Sequence, residues 1–502
     1  MERSETVRVR GAAASTVRTS FTPSTTTLTQ SPTEETAGGL ANALDRIGFT
    51  TAHAGVLALV LAGMFFDALE QDSTGAIGSG LKASFGINTG QLALLNTVTT
   101  IGGLVGRLAT GYIADRKGRR FALSLNLLLY TLGGVLSALA PNVACLYTSR
   151  FVVGIGLGGE FTVGLALLAE IVATRYRGTV AASLNIGSGG VGNFVAFGLF
   201  LLVLGPLNTV LGGTAESWRW LFVLLALPAP LVVLFRRRLP ESPRFLLAQG
   251  RVDEANSALT VLASGRLRKR PAPDEVTAYL TVADIPASSG ERVPLGELAT
   301  RASLGRTAAI GAASWMSFGA QVTLLVLMPS LLVSEGYSVT SSLAFTMIMN
   351  FGSLLGACAS AFLASRVARK TVVVTAAVLG CAAAVAFALF AHGTALILIL
   401  GAIFQFFALL LNTTLAAWSP ELYPTRVRAL GTSVVNGIGN VSGAVMPLLA
   451  VALFTAHGVG SIFVLLAGMY VVLAGCALFA PETRDRSLEE INRETLTLVG
   501  AA

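Results

Sequence analysis

Apolar runs of about 20 residues, the length a helix needs to cross a hydrocarbon core, recur along the whole chain. They begin near positions 50, 88, 121, 144, 178, 218, 306, 341, 371, 394, 428 and 460. Twelve such runs predict an all-α membrane protein with twelve transmembrane helices. Only 12% of the 502 residues are charged, against about 25% in an ordinary soluble domain, so lipid is the expected solvent for most of this chain.

A net charge of +8 would suit nucleic acid if the positive charges shared one face. Instead they fall at alternate ends of the spans. The segment "GYIADRKGRR" at 111–120 follows span 2, Arg175 and Arg177 follow span 4, and Arg236, Arg237, Arg238 and Arg244 follow span 6. Arg366, Arg369 and Lys370 follow span 8, Arg426 and Arg428 follow span 10, and Arg484 and Arg486 follow span 12. The connections between carry almost no Lys or Arg. By the positive-inside rule the basic ends are cytoplasmic, which places both termini inside and makes the chain a multi-pass protein of the plasma (inner) membrane, with the bilayer and no nucleic acid as partner. Cys145, Cys358, Cys381 and Cys476 lie far apart and the three histidines do not cluster, so neither a metal site nor a disulfide framework is expected, and no cofactor.

Residues 1–46, dense in Ser and Thr with no apolar period, are expected to be a disordered cytoplasmic tail. A first half follows at 47–238, a cytoplasmic linker of mixed charge at 239–304, a second half at 305–481 and a short tail at 482–502. The split of six spans and six coincides with an internal repeat. "GYIADRKGRR" at 111 returns as "AFLASRVARK" at 361, and Gly102 and Gly106 return as Gly352 and Gly356. "EIVATRYRGT" at 170 is answered by "ELYPTRVRAL" at 421, with Asn185 then matching Asn436, and "PESPR" after span 6 by "PETRD" after span 12. Two parallel six-helix repeats are a transporter arrangement, with substrate bound near the midplane between them.

"GYIADRKGRR" resembles the cytoplasmic loop signature of the major facilitator superfamily. Its second copy is degenerate, with Ser365 in place of the acid. "RFVVGIGLGG" at 150 is similar to the span-4 signature of that superfamily, and "PESPR" to its branch of sugar porters and metabolite–proton symporters. The resemblance covers residues 50–490 and implies the two-half fold, alternating access and a monomer as the working unit. It also implies a cytoplasmic gate built from Gly111, Asp115, Arg116, Gly118, Arg119, Arg120, Glu170, Arg177, Glu421, Arg426 and Arg428. Positive-inside sorting alone accounts for the basic members but gives Asp115 no work. A latch does: the acid faces the positive end of a helix of the other half, span 11 near Arg428, while Arg119 meets Glu170.

Acids inside a membrane span need partners or purpose. In "GMFFDALEQDSTGAIG", Asp67 and Glu70 are three apart and so share a helix face, with Asp72 close behind. If the helix ends before them they stand in outside water; if it continues, two facing carboxylates favour uptake of a proton by one. The resemblance favours the second reading, since aromatic-acid symporters carry an acidic pair three apart in span 1 and sugar porters a single acid. At 1.5 Å per residue, Asp67 lies about 24 Å and Arg150 about 21 Å above the inner edge, so the two are expected to face each other, as a switch or as a permanent ion pair. Glu160 in "GLGGEFTVG" resembles the span-4 acid of nicotinate-type carriers, with Arg107 as its expected partner.

The second half offers amides instead: Gln321, Asn350, Gln405, Asn412, Asn436 and Asn440, with Trp315 and Trp418 as apolar walls. Together with Arg107 and Asn185 they are the candidates for substrate binding as a set, although a helix–helix hydrogen bond explains any single amide better than a ligand contact does. Span 7 lacks the paired glutamines of sugar porters, and "NIGSGGVGNFVAFG" lacks the span-5 proline of drug–proton antiporters. Proton-coupled uptake of a small organic acid, aromatic or similar, remains as the expected function. The rivals are a uniporter or efflux carrier for a sugar or other metabolite, and a transporter-like receptor. No nucleophile, metal cluster or phosphate loop points to an enzyme. Asp115→Asn is expected to lower uptake more than membrane insertion, checked by uptake normalised to inserted protein.

Overall fold

The structure, a computed structural model, describes residues 32–213, 215–226, 234–235, 237–267, 271–285, 301–364, 366–423 and 428–482. Among them there are helices and connections and no β-strand. Eleven helical segments are long and apolar enough to cross a membrane. The sixth expected span is described chiefly as a shorter helix, Ser217–Leu225.

The helices of the first half are α1 (Pro32–Ile47), α2 (Thr51–Ala76), α3 (Gly78–Phe85), α4 (Thr89–Lys117), α5 (Arg119–Ala138), α6 (Val143–Gly158), α7 (Glu160–Ile171), α8 (Arg177–Asn185), α9 (Asn193–Leu204) and α10 (Ser217–Leu225). The connecting segment forms α11 (Pro243–Ala248) and α12 (Val252–Ala263). The second half holds α13 (Arg301–Ser334), α14 (Val339–Leu363), α15 (Arg369–Phe390), α16 (Thr394–Trp418), α17 (Arg428–His457) and α18 (Val459–Phe479). Asn88, Asn142 and Ser338 cap α4, α6 and α14 by accepting from the amides of Gln91, Cys145 and Ser341, which meets part of the need for donors' partners at a helix start.

Packing reproduces the sequence repeat. A Cβ on Gly102 or Gly106 would overlap the carbonyl oxygen of Phe151 or Ile155, and one on Gly154 or Gly158 that of Thr99 or Gly103. So α4 and α6 touch backbone to backbone. Their counterparts Gly352 and Gly356 meet the carbonyls of Ala402 and Phe406 in the same way, pressing α14 onto α16. Close approach of this kind is what small residues allow between membrane helices. In the fifth span the glycine-rich Ile186–Gly192 winds as a π-helical segment, a wide turn that packs Gly187 and Gly192 against α2 and Gly190 against α14.

The same repeat is visible at the basic end. Arg119 pairs with Glu170 at 3.1 Å and Arg369 with Glu421 at 3.2 Å. Glu241 of "PESPR" accepts from the amides of Arg119 and Arg120, and Glu482 of "PETRD" from those of Arg369 and Lys370. Each of these carboxylates caps the helix that starts its half's third span. Gly118, at φ +95°, has its missing side chain replaced by the Glu241 carboxylate, which a Cβ would overlap. Burial pushes the Glu241 carboxyl up, against the pull of the three amides that donate to it.

One expectation is corrected here. The tail assigned to 1–46 is helical from Pro32 onward: Leu40, Ala43 and Leu44 of α1 are buried against Phe245, Leu246, Ala255 and Leu259 of α11 and α12. A short apolar stripe supplied one helix face, enough to fold because the linker supplies the other. Residues 1–31, Ser365, Arg426 and the second tail beyond 482 lie outside the described residues, as does the side chain of Arg428.

Gly106→Ala and Gly356→Ala are expected to lower the melting temperature in detergent by roughly 2–6 °C through overpacking. Gly111→Ala, where a Cβ meets nothing within 4 Å, should leave it unchanged; thermal unfolding of the purified variants checks both.

Candidate functional site

The first span does not end at its acids. Helix α2 runs on to Ala76 and continues as α3 to Phe85, so Asp67, Glu70 and Asp72 lie well inside it, none more than 7% exposed. The fourth span runs inward to Ile171, so Arg150 stands about 31 Å above its inner end, level with Glu70 at about 28 Å above Thr51 rather than with Asp67. The fully buried Arg150 of α6 therefore pairs with Glu70, and the expected pairing with Asp67, one turn deeper, does not form. The guanidinium also reaches the Glu70 carbonyl at 3.4 Å and the hydroxyls of Thr74 at 3.4 Å and Ser73 at 3.5 Å, and lies 5.2 Å from the centre of the Phe222 ring. A buried guanidinium with this many acceptors is held in one orientation.

Asp67 faces Glu160 instead. Glu160 opens α7 immediately after Gly159, where a side chain would run into Thr110, and its carboxylate sits in a notch made by Gly63 of α2. The expected partner Arg107 turns elsewhere: its Nε donates to the Gly158 carbonyl at 3.1 Å and its Nη2 to the Asn440 Oδ1 at 3.3 Å. The reason is helical phase. Positions 158 and 160 are about 200° apart around their axis, so the first meets α4 and the second meets α2.

Between the halves lies a partly open cleft of about 660 Å³, open solvent included. Its walls are Gln71, Asp72 and Thr74 of α2; Asn96, Thr99, Thr100, Gly103 and Arg107 of α4; Arg150, Leu157 and Gly158 of α6; Phe318, Val322, Leu325 and Val326 of α13; and Asn440 of α17. Of the residues expected to bind substrate, Arg107 and Asn440 line it. The residues missed are Gln71, Asn96, Thr99, Thr100 and Phe318. Asn96, Thr99, Gly103 and Arg107 recur at spacings of three and four, a polar stripe on one face of an apolar helix that the sequence carries openly. Two hydrogen bonds close the cleft beside this stripe, Asn96 Nδ2 to the Gly443 carbonyl at 2.9 Å and Thr97 Oγ1 to the Ala444 carbonyl at 2.6 Å.

The other candidates lie away from this cleft, and the structure gives each a neighbour. Trp418 is fully buried in the core of the second half rather than walling the cleft, and Trp315 packs against that core. Asn350 donates to the Thr346 carbonyl of its own helix, and Gln405 sits 3.5 Å from Ser353 across the α14–α16 contact. Asn412 donates to Gln321, Asn185 to the Ala181 carbonyl, and Asn440 to the carbonyl of Asn436. Each of these amides satisfies a neighbour in a medium without water.

At the basic end, Asp115 is 76% exposed and pairs with Arg119, one turn along at 3.2 Å. The expected docking of Asp115 on the start of α17 involves Arg426 and the Arg428 side chain, which lie outside the described residues. Arg116 stacks on Tyr112, and Arg177 stands near Glu170, Asp45 and Arg244.

Residues 46–495 match the sugar (and other) transporter family. The chain is 28% identical over 459 residues to the niacin transporter NiaP of Acinetobacter baylyi, covering 90% of this chain and 99% of that one. It is 27% identical over 457 residues to the putative metabolite transport protein YdjK of Escherichia coli, covering 89% and 96%. In fold it is similar to the E. coli xylose transporter XylE in a partially occluded inward-open conformation, with TM-score 0.68 at 17% identity over 88% of this chain and 100% of that one. A second structure of XylE, titled a proton:xylose symporter and bound to 6-bromo-6-deoxy-D-glucose, gives 0.64 at 20% identity over 88% and 99%.

Glu70→Gln leaves the Arg150 charge buried and unmatched. It is expected to cost about 3–5 kcal/mol, and Glu70→Gln with Arg150→Gln to recover most of that. Denaturation of the three proteins in detergent measures the difference.

Proposed function

The chain belongs to the sugar (and other) transporter family of the major facilitator superfamily, and from that membership and the chemistry of the cleft we propose that it takes up a small organic acid together with protons. In this reading the protein is a monomer in the plasma (inner) membrane. The basic end and both termini are cytoplasmic, and the two halves rock about the cleft.

One observation carries the choice of an acid. Arg150 is neutralised by Glu70, whereas Arg107 on the same cleft holds, among the described residues, neutral acceptors, the Gly158 carbonyl and the Asn440 amide. A guanidinium in that condition is the natural counter-charge for a carboxylate. Phe318, Val322 and Leu325 opposite it offer an apolar wall for a ring or chain. The niacin transporter named above handles a molecule of this class by its name. The buried carboxyls Asp67, Glu70, Asp72 and Glu160 supply groups able to carry protons, and Arg150, which touches both Glu70 and the cleft, is the group through which proton and substrate would feel one another.

A sugar is the second reading. The hydroxyls of Thr99 and Thr100 and the amides of Gln71 and Asn96 line the same cleft, and neutral donors and acceptors of this kind suit a polyol.

Proteoliposomes with an imposed inward proton gradient, supplied in turn with radiolabelled nicotinate, benzoate and xylose, separate these readings. Uphill uptake of an acid that falls roughly 10- to 100-fold in Arg107→Gln, the loss of one charged hydrogen-bonding partner, supports acid symport. Accumulation of xylose with no acid uptake, or uptake indifferent to the gradient, overturns it.

A further inference from the structure

Three buried groups stand together on three helices of the first half and take no part in the Glu70–Arg150 pair. Asp67 comes from α2, Tyr130 from α5 and Glu160 from the start of α7, none more than 7% exposed. Both oxygens of Glu160, Oδ1 of Asp67 and the hydroxyl of Tyr130 have no hydrogen-bond partner among the described residues. Asp67 and Glu160 interact directly, and Tyr130 lies within the field of both. The position is built and not incidental: Gly63 leaves the room that the Glu160 carboxyl fills, and Gly156 of α6 lies against the backbone of Tyr130.

The charged groups around this cluster are few. On α2 they are Glu70 and, a turn further and facing the cleft, Asp72; on α6 there is Arg150, engaged with Glu70; on α4 there is Arg107, turned to Gly158 and Asn440. No basic side chain pairs with Asp67 or Glu160 among the described residues. Two bare carboxylates would therefore repel each other in a medium that cannot solvate them. One proton resolves the conflict. The protonated carboxyl can then donate to the other carboxylate, and the Tyr130 hydroxyl, unpartnered in this structure, is a donor for an oxygen left over.

We propose that Asp67, Glu160 and Tyr130 form a proton-holding site, distinct from the Glu70–Arg150 ion pair and about one helical turn from it, and that this site carries the coupled proton. The inference rests on the proton-coupled reading above and deepens it. The proton arrives from water on one side of the membrane and leaves to water on the other, and no bond other than the O–H is made or broken. When it leaves, two anions are left beside the Tyr130 hydroxyl and the unpartnered Nδ2 of Asn126, one turn before it on α5. The buried cation on α6, Arg150, is engaged with Glu70 and borders the substrate cleft, so loss of the proton bears on that pair through their charges. Tyr130 is a positioning residue in this scheme, since it touches neither substrate nor cleft.

The test uses the full-length protein in proteoliposomes with two readouts. Infrared difference spectra taken across a pH step follow the C=O stretch of carboxylic acids without any substrate. Gradient-driven and counterflow uptake of radiolabelled nicotinate follow coupling. The wild type is expected to show a titrating carboxylic acid band, part of which is lost in Asp67→Asn and in Glu160→Gln, and both variants keep counterflow while losing gradient-driven accumulation. Tyr130→Phe should keep the band and move the alkaline limb of the uptake profile up by about one pH unit, because a carboxylate deprived of a hydroxyl donor keeps its proton to higher pH.

A band retained in both carboxyl variants and lost in Glu70→Gln, or a Tyr130→Phe profile identical to the wild type, overturns the assignment. Where Glu160→Gln yields no folded protein, Asp67→Asn and Tyr130→Phe decide it. A wild type whose band behaves as stated but whose uptake ignores the gradient keeps the proton-holding site and removes its coupling role, so the two proposals fail separately.

Discussion

Neither Glu70 nor Arg150 could remain charged alone in the middle of the first half. Each is fully buried, and the cost of an unmatched charge there exceeds what packing returns. Their pairing fixes the register of α2 against α6, and with it the level of every other polar group on α2. Asp67 is left one turn deeper, opposite Glu160. Asp72 is carried to the cleft, and Gly75 to the backbone of α13, where a Cβ would overlap the Leu325 carbonyl. The same pairing engages Arg150 with Glu70 and leaves Arg107 and Asp72 as the other charged side chains that line the cleft among the described residues. A buried ion pair is a poor source of net stability; its value here lies in position.

On the α4–α17 face the contacts that join the halves differ in kind from those that hold each half together; elsewhere between the halves Gly75 of α2 lies against the Leu325 carbonyl of α13. Within a half, α4 meets α6 and α14 meets α16 through glycines set against carbonyl oxygens, contacts with no side chain between them to yield. Across the halves, on the α4–α17 face, the links are separate side-chain hydrogen bonds from Asn96, Thr97 and Arg107. Such bonds exchange cheaply for others, whereas a backbone contact has no alternative partner nearby. Stiffness within halves and replaceable contacts between them on that face are the mechanical conditions for rigid-body rocking around a fixed site.

Much of this is written in the chain, and what is not has a physical reason. The spans, the repeat and the pairing partners of Arg119 and Glu170 follow from apolar length and from matched offsets, because those features depend on one helix at a time. The partners of Asp67, Arg150, Glu160 and Arg107 depend on depth and rotation together. A fourth span that runs inward to Ile171 raises Arg150 by about a turn or more, and the two-residue step from Gly158 to Glu160 reverses the direction of the side chain. The amides of the second half read alike in sequence, yet Asn350 bonds within α14 and Gln405 meets Ser353 across the α14–α16 contact, while Asn440 reaches the cleft. Tyr130 carries no signal at all, being one aromatic residue in an apolar helix whose neighbours become acids only on folding.

The module outside the membrane follows the same logic of borrowed partners. Helix α1 has too small an apolar face to fold by itself and completes it with α11 and α12. That bundle is fastened to the first half: the Thr50 hydroxyl donates to the Leu262 carbonyl at 2.7 Å, and Phe245 of α11 lies 5.4 Å from the guanidinium of Arg119. Glu241, at the start of the same segment, caps α5 beside the loop that carries Asp115. The linker thus reaches the charged loop through a carboxylate that accepts from the amides of Arg119 and Arg120, while the Gly118 amide donates to the Ala114 carbonyl. Loop, cap and bundle form one body on the first half, and the acid at its edge, Asp115, stands exposed at that body's surface.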